Sequence, residues 1–182
     1  MSKALIIYHS TYGSTKKYAE WLSENVEADV YDLNFFIPEM LNDYHTIIIG
    51  GGLYAGKING LRFLNQIYGS LRDQKIIIFA CGVVDNTIKE NTDKLVKRIK
   101  KSIPKELFNR SKIYFLRGSI DYDKLSYLHR FMMWIMYTIL KRKDYNKLSN
   151  EDKVLVDTYG KTVSYVDKES ISEIVKEARI IN

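Results

Sequence analysis

The chain alternates between short runs of apolar residues and longer segments in which apolar residues recur every three or four positions. Four runs are rich in branched residues and end at glycine or polar positions, which is typical of strands buried on both faces of a sheet. They span residues 4–8, 46–49, 75–80 and 113–116. A fifth run, 28–33, alternates between apolar and polar residues, so we expect it at the edge of that sheet.

Three segments between or after these runs have the spacing of amphipathic helices. They are residues 18–26, residues 61–71 and the closing segment 171–178. Alternating strands and helices predict an α/β fold in which parallel strands are joined by right-handed crossovers. No internal repeat or linker interrupts the pattern, so we expect one domain over residues 1–182.

Glycines cluster where the predicted strands end. Seven of the ten lie at or just beyond the carboxyl end of a strand, the edge at which open α/β sheets bind ligands. Structural turns account for one or two of them, and the rest suggest backbone that approaches an extended ligand closely. The seven are Gly13, Gly50, Gly51, Gly52, Gly56, Gly82 and Gly118.

The loop after the first strand, residues 10–15, has four Ser or Thr hydroxyl groups and one glycine in six residues and leads directly into a helix. Hydroxyls, backbone N–H groups and a helix N-terminus together form a phosphate cradle. The loop contains neither the lysine of a P-loop nor a dinucleotide fingerprint, which favours a phosphate monoester that is bound and not transferred. The alternative is an ordinary helix start capped by Ser or Thr.

Composition narrows the class of protein further. The single cysteine cannot form a disulfide within the chain, and no cluster of Cys and His has zinc spacing, so we expect no metal and a reducing, cytoplasmic setting. The apolar run near the N-terminus is too short for a secretory signal. The formal net charge of +6 is concentrated in residues 89–112, where the basic residues are expected to form a solvated helix face. Nucleic-acid binding is not expected, because aromatic residues are not interleaved there.

These loops resemble those of the flavodoxin family. Residues 10–15 match its FMN phosphate loop, and residues 51–56 and 81–85 follow the third and fourth predicted strands, where its loops enclose the isoalloxazine ring. The resemblance implies a flavodoxin-like three-layer sandwich with a five-stranded parallel sheet of order 2-1-3-4-5 and FMN bound at the switch point. The residues that it assigns to FMN are Ser10, Thr11, Tyr12, Gly13, Ser14, Thr15, Gly51, Gly52, Leu53, Tyr54, Ala55, Gly56, Cys81, Gly82, Val83, Val84 and Asp85.

Two of these residues also allow a simpler interpretation. Tyr54 is the natural aromatic residue to stack on the flavin, and its alternative is an ordinary surface tyrosine. Cys81 ends a predicted strand, so a buried core thiol is favoured over a reactive one.

About 40 residues exceed what five βα units need, and they form an inserted segment at about 118–160, between the fifth strand and the last helix. Its apolar stretch 131–140 is too short to span a bilayer and is followed by Lys141, Arg142 and Lys143. We expect a helix that packs on the domain, or one that meets a partner or a membrane surface through residues 125–143.

The insert resembles that of the menaquinone-dependent protoporphyrinogen IX dehydrogenases, which are flavodoxin-like. The matching features are Gly118-Ser119-Ile120 with Tyr122, His129-Arg130-Phe131-Met132, Ile135-Met136 and Asp157-Thr158. This resemblance implies an enzyme in which FMN takes hydrogen from a porphyrinogen in two-electron steps and passes it to a quinone at the cytoplasmic face of a membrane, with a role in heme biosynthesis.

The catalytic residues are unknown at this stage. Arg130 is a candidate that would pair with a substrate propionate or a lipid phosphate, and its alternative is a structural role in the inserted helix. Two other functions remain open. The chain could be a soluble electron-transfer flavodoxin serving a redox partner, although its basic charge differs from that expected of such carriers. It could also be an interaction module that keeps the fold without binding FMN tightly.

Overall fold

A computed structural model gives the fold of the chain for residues 4–54 and 57–180. The strands are β1 Ala4–His9, β2 Ala28–Asp32, β3 Thr46–Tyr54, β4 Lys57–Ile58, β5 Lys75–Gly82, β6 Ser111–Arg117, β7 Ser119–Asp121 and β8 Thr162–Ser164. The α-helices are α1 Ser14–Asn25, α2 Leu61–Ile67, α3 Lys89–Ser102, α4 Lys105–Arg110, α5 Tyr127–Leu140, α6 Asn150–Thr158 and α7 Ser172–Arg179. Short 3₁₀ turns occupy Leu33–Phe35, Pro38–Asp43, Tyr68–Ser70, Tyr122–Lys124, Tyr145–Lys147 and Glu169–Ile171.

Five strands form one parallel sheet in the order β2-β1-β3-β5-β6, which confirms the predicted order. Alternate residues of each strand point to opposite faces, and both faces are covered. Leu5, Ile47 and Ile76 pack with α2, α3 and α4 on one side, whereas Ile6 and Ile77 pack with α1 and α7 on the other. Burying each such side chain stabilises the fold by about 1.5–3 kcal/mol. The result is the expected α/β three-layer sandwich.

The central strand β3 is longer than the prediction, because it runs to Tyr54 and not to Ile49. Its glycine-rich half still pairs with neighbours, since Gly51 lies opposite His9 in β1 and Ala80 in β5. The residues 51–54 predicted to form a loop are therefore strand residues. β5 likewise continues through Cys81 and Gly82. The hydrophobic pattern misses these strand ends because glycine contributes no side chain to it.

Packing within the chain accounts for most of the clustered glycines. A Cβ at Gly50 would collide with the ring of Phe79, its partner on β5, and one at Gly51 would collide with the backbone oxygen of Asn59. At Gly82 it would come within 3.0 Å of Leu53. Glycine is therefore required at these positions by the close approach of other segments of the same chain, and not only by the approach of a ligand.

The inserted segment begins and ends in a two-stranded antiparallel ribbon formed by β7 and β8. It therefore extends to Ser164, slightly beyond the predicted end at about residue 160. Between the ribbon strands, α5 packs against α6, and Arg98 of α3 makes two hydrogen bonds of 2.9 Å to Glu151 of α6. The insert is thus attached to the outside of the sandwich, beside the carboxyl edge of the sheet.

We predict that Gly50→Ala lowers the free energy of unfolding by about 2 kcal/mol, because the new methyl group cannot enter the space filled by the fully buried Phe79 ring. Gly69→Ala is the matched control, since a Cβ there meets no atom within 4 Å. Urea unfolding followed by circular dichroism measures both. Equal midpoints for the two variants would contradict the packing account.

Candidate functional site

The loop between β1 and α1 presents the N-terminus of α1 without a side-chain cap. Gly13 is the N-cap residue, with φ of +95°, and no side chain caps the first turn. The first bond of the helix runs from Lys17 N–H to the Gly13 oxygen at 3.0 Å. The backbone N–H groups of the three preceding residues therefore have no partner within the helix, which is the arrangement that binds an anion. The alternative of a Ser- or Thr-capped helix start is not what the structure contains.

The hydroxyl groups of this loop are used in different ways. Ser10 accepts a hydrogen bond from Gly13 N–H at 3.0 Å, which shapes the turn. Ser14 lies 2.7 Å from the Ser119 hydroxyl and accepts from Ser119 N–H at 3.1 Å, so it joins the loop to β7. Thr15 is buried, and its hydroxyl is hydrogen-bonded to the Cys81 thiol. Backbone N–H groups, more than these hydroxyls, are what the loop offers to a ligand.

Three aromatic rings converge beside this loop. Tyr12 lies in the loop, Tyr54 ends β3, and His129 lies in the first turn of α5. The ring centroids of Tyr12 are 5.8 Å from Tyr54 and 5.9 Å from His129, and Tyr54 and His129 are 6.3 Å apart with their planes 13° from parallel. Burial raises the pKa of Tyr54, while hydrogen bonding with Thr11 opposes that rise. Ala55 and Gly56, which were also predicted to contact the ligand, lie outside the described residues.

His129 was not among the predicted cofactor residues, although the structure brings it to them. The hydroxyl of Tyr12 is hydrogen-bonded to Nδ1 of His129, and the N–H of Ser126 lies 3.5 Å from the same hydroxyl oxygen. Ser126 also caps α5 by accepting from His129 N–H at 3.2 Å. Tyr12 and His129 are 117 positions apart, so no local pattern in the sequence signals this contact.

Residues 81–85 consist of the last two residues of β5 and the turn that follows it. Cys81 is buried, and desolvation raises its pKa to about 12, so it is a core thiol as the simpler interpretation predicted. Hydrogen bonds from the hydroxyl and the backbone N–H of Thr87 lower the pKa of Asp85, desolvation opposes them, and the charge of Arg117 adds a smaller lowering effect, so the carboxylate is charged at neutral pH. The side-chain amide of Asn91, in α3, donates to the Asp85 carbonyl oxygen at 2.8 Å and holds the turn in place. Val83 and Val84 lie within this turn.

The candidate catalytic residue Arg130 holds backbone in place. Its Nη2 donates to the carbonyl oxygens of Tyr122 and Asp123 at 2.9 and 3.2 Å, which stabilises the turn before α5. These contacts match the structural alternative considered for this residue. The catalytic assignment of Arg130 stays a prediction.

Neither a metal-binding cluster nor a membrane-spanning helix is present among the described residues. No group of three or more His, Cys, Asp and Glu residues in the described ranges could hold a metal ion. Within the same ranges, none of the helices has the length and apolar character needed to cross a bilayer.

Comparison with known proteins gives a family match and one curated relative. The family model described as "Flavodoxin domain" matches residues 5–147. An uncharacterized protein of Methanocaldococcus jannaschii is 33% identical over 81 residues, which cover 43% of this chain and 53% of that protein. The match thus spans about half the length of that relative.

Solved structures with a similar fold include three flavoproteins at low identity. An oxidised flavodoxin 1 from Bacillus cereus is 17% identical, with 71% of this chain and 94% of that chain covered and a TM-score of 0.43. A flavoprotein in complex with FMN from Lactobacillus acidophilus is 16% identical, with 64% and 93% covered and a TM-score of 0.44. A flavodoxin from the domain Archaea is 15% identical, with 96% and 99% covered and a TM-score of 0.45.

The family model covers well over half of the chain and includes the phosphate loop, β3, β5 and the start of the insert. The strand order of the sheet is the one that this family has. The chain therefore belongs to the flavodoxin family of flavoproteins, whose cofactor is FMN.

Proposed function

We propose that this protein is an FMN-dependent oxidoreductase that takes electrons from a porphyrinogen and delivers them to a quinone at a membrane surface. Family membership supports the cofactor and a redox role. The observation that carries the finer proposal is the outer face of α5, which is apolar, exposed and adjacent to the cofactor site.

The described residues fit FMN. The uncapped N-terminus of α1 offers backbone N–H groups to a phosphate, and Gly13, where a Cβ would meet nothing within 4 Å, leaves space beside them. Tyr54 and Tyr12 offer aromatic surface for a planar ring at the end of β3. When bound, FMN supplies the exchange of electrons and hydrogen, and these residues bind and orient it.

Helix α5 presents large apolar side chains to the outside over its whole length. Its exposed side chains are apolar except for that of Arg130, and Tyr127 is 92% exposed. On its inner side, Leu140 is buried and the ring of Tyr137 stacks on Tyr159 with centroids 3.9 Å apart. A contiguous apolar surface of this kind marks an interaction site. The outer face of α5 consists of Tyr127, Leu128, Phe131, Met132, Trp134, Ile135, Met136 and Ile139.

Charge indicates which partner this face meets. Exposed Lys141, Arg142 and Lys143 follow α5 directly, so the apolar face is next to a basic cluster. An apolar helix face with basic neighbours is suited to the interface of an anionic bilayer, into which it inserts without spanning it. A quinone dissolves in that bilayer, so an acceptor would be available where the first turn of α5 meets Tyr12.

We predict that Gly13→Ala weakens FMN binding about tenfold and leaves riboflavin binding nearly unchanged, because an alanine resists φ of +95° and shifts the N–H groups that meet the phosphate. Gly160→Ala is the matched control, since Gly160 also has positive φ and open space but lies in the insert after α6. Fluorescence quenching of the two flavins measures both affinities. If the two variants bind FMN equally well, the phosphate assignment is wrong.

We predict that Phe131→Glu reduces binding to vesicles of equal parts phosphatidylglycerol and phosphatidylcholine at least tenfold. The substitution removes apolar surface that the membrane would bury, and it adds a negative charge that the anionic surface repels. Phe35→Glu is the control, since Phe35 is more exposed than Phe131, at 80% against 55%, but lies outside the insert. Co-sedimentation measures the bound fraction. A wild-type protein that stays in the supernatant would contradict membrane association.

The redox proposal is tested without oxygen on the FMN-loaded protein. We expect protoporphyrinogen to bleach the flavin absorbance and a menaquinone analogue to restore it, both faster than with free FMN. Reduction by ferredoxin-type partners but not by porphyrinogen would indicate a soluble electron-transfer flavodoxin. Failure of the purified protein to bind FMN would instead indicate an interaction module.

A further inference from the structure

We infer that His129 forms an aromatic wall of the flavin-ring site opposite Tyr54, so that the inserted helix completes the cofactor site. The inference rests on the proposed binding of FMN and concerns a residue of the insert, outside the three loops that the resemblance assigned to FMN. It assigns to α5 a binding role in addition to its exposed outer face.

The geometry of the two rings suits a planar ligand. The imidazole of His129 and the ring of Tyr54 are 13° from parallel, so a flat group that stacks on one is also parallel to the other. Carbon atoms in contact are about 3.5–4 Å apart, and a ring held between two walls therefore needs a separation of roughly 7 Å. The centroids of the two rings are 6.3 Å apart, which is less than this, so the rings must move apart when a flavin enters between them.

The orientation of the imidazole is fixed from the phosphate-loop side. Nδ1 of His129 is hydrogen-bonded to the hydroxyl of Tyr12, and the backbone N–H of His129 donates to the Ser126 hydroxyl at 3.2 Å, which holds the first turn of α5. A side chain that is already held in its binding orientation loses little conformational freedom when a ligand arrives. The residue that places His129 thus belongs to the loop that also forms the phosphate cradle.

The turn after β5 does not offer an equivalent wall. Its residues 83–86 are Val, Val, Asp and Asn, so it contains no aromatic ring. Asp85 is held by Thr87, and Asn86 donates to the Phe115 carbonyl oxygen at 2.5 Å. The ring that lies nearly parallel to Tyr54 comes instead from α5, since His129 is 13° from parallel to it whereas the Tyr12 ring is tilted by 59°.

The test compares His129→Ala with His129→Phe. We expect His129→Ala to raise the dissociation constants of FMN and of riboflavin about 3- to 10-fold and to change the visible circular dichroism of the bound flavin, because a stacking partner is lost. His129→Phe keeps a ring and is expected to retain most of the affinity. Leu128→Ala, on the outer face of the same turn, is the control and is expected to leave both readouts unchanged.

The outcomes separate this inference from the proposed function. If His129→Ala binds FMN with wild-type affinity and an unchanged visible spectrum, the inference is wrong while FMN binding stands. If His129→Phe is as weak as His129→Ala, stacking is not the role of this residue, and the inference is also wrong. If the wild-type protein binds no FMN, the proposed function itself fails. Urea unfolding of each variant shows that the compared proteins are folded.

Discussion

The hydrogen bond between Tyr12 and His129 connects the two parts of this molecule that matter most for its function. Tyr12 belongs to the loop that opens α1, where uncapped N–H groups offer a site for an anion. His129 belongs to α5, whose outer face is apolar and exposed. Because this contact and the Ser14–Ser119 pair hold the insert against the loop, the position of α5 and the shape of the candidate site depend on each other.

This connection gives the insert a physical role in the proposed reaction. An electron carrier that docks on a protein partner needs an exposed flavin edge and a complementary charge. Here the exposed Lys141, Arg142 and Lys143 follow an apolar helix that reaches the site, so under the proposed function this helix would meet a lipid surface and also contribute to the cofactor pocket. The arrangement would bring a quinone dissolved in the bilayer near the flavin, although none of the helices within residues 4–54 and 57–180 could cross the membrane.

Much of the fold follows from the sequence because it rests on local patterns. The apolar runs of β1, β3 and β5 predict buried parallel strands, and the glycine and hydroxyls of residues 10–15 predict the start of α1. The glycine half of β3 was not predicted as strand, because the need for Gly50 comes from Phe79 on the neighbouring strand. The burial of Thr15 against Cys81 likewise depends on packing between elements.

The candidate site was only partly predictable for the same reason. The resemblance predicted a phosphate site at residues 10–15 and a flavin contact at Tyr54, because these residues directly follow strands that the local sequence pattern predicts. It gave no signal for His129 as a neighbour of Tyr54, since that contact depends on how a long insert folds back onto the first loop. Arg130, the next residue, was a candidate for catalysis because of its charge, yet its guanidinium donates to the Tyr122 carbonyl oxygen and holds that turn.

The most direct test of this account is the rate at which the reduced, FMN-loaded protein is reoxidised by menaquinone embedded in anionic vesicles. We predict that Phe131→Glu slows this reaction at least tenfold and leaves reoxidation by a water-soluble quinone unchanged, because the variant disturbs docking and not electron transfer. Equal rates for wild type and variant with the embedded quinone would contradict the claim that α5 brings the flavin site to the membrane.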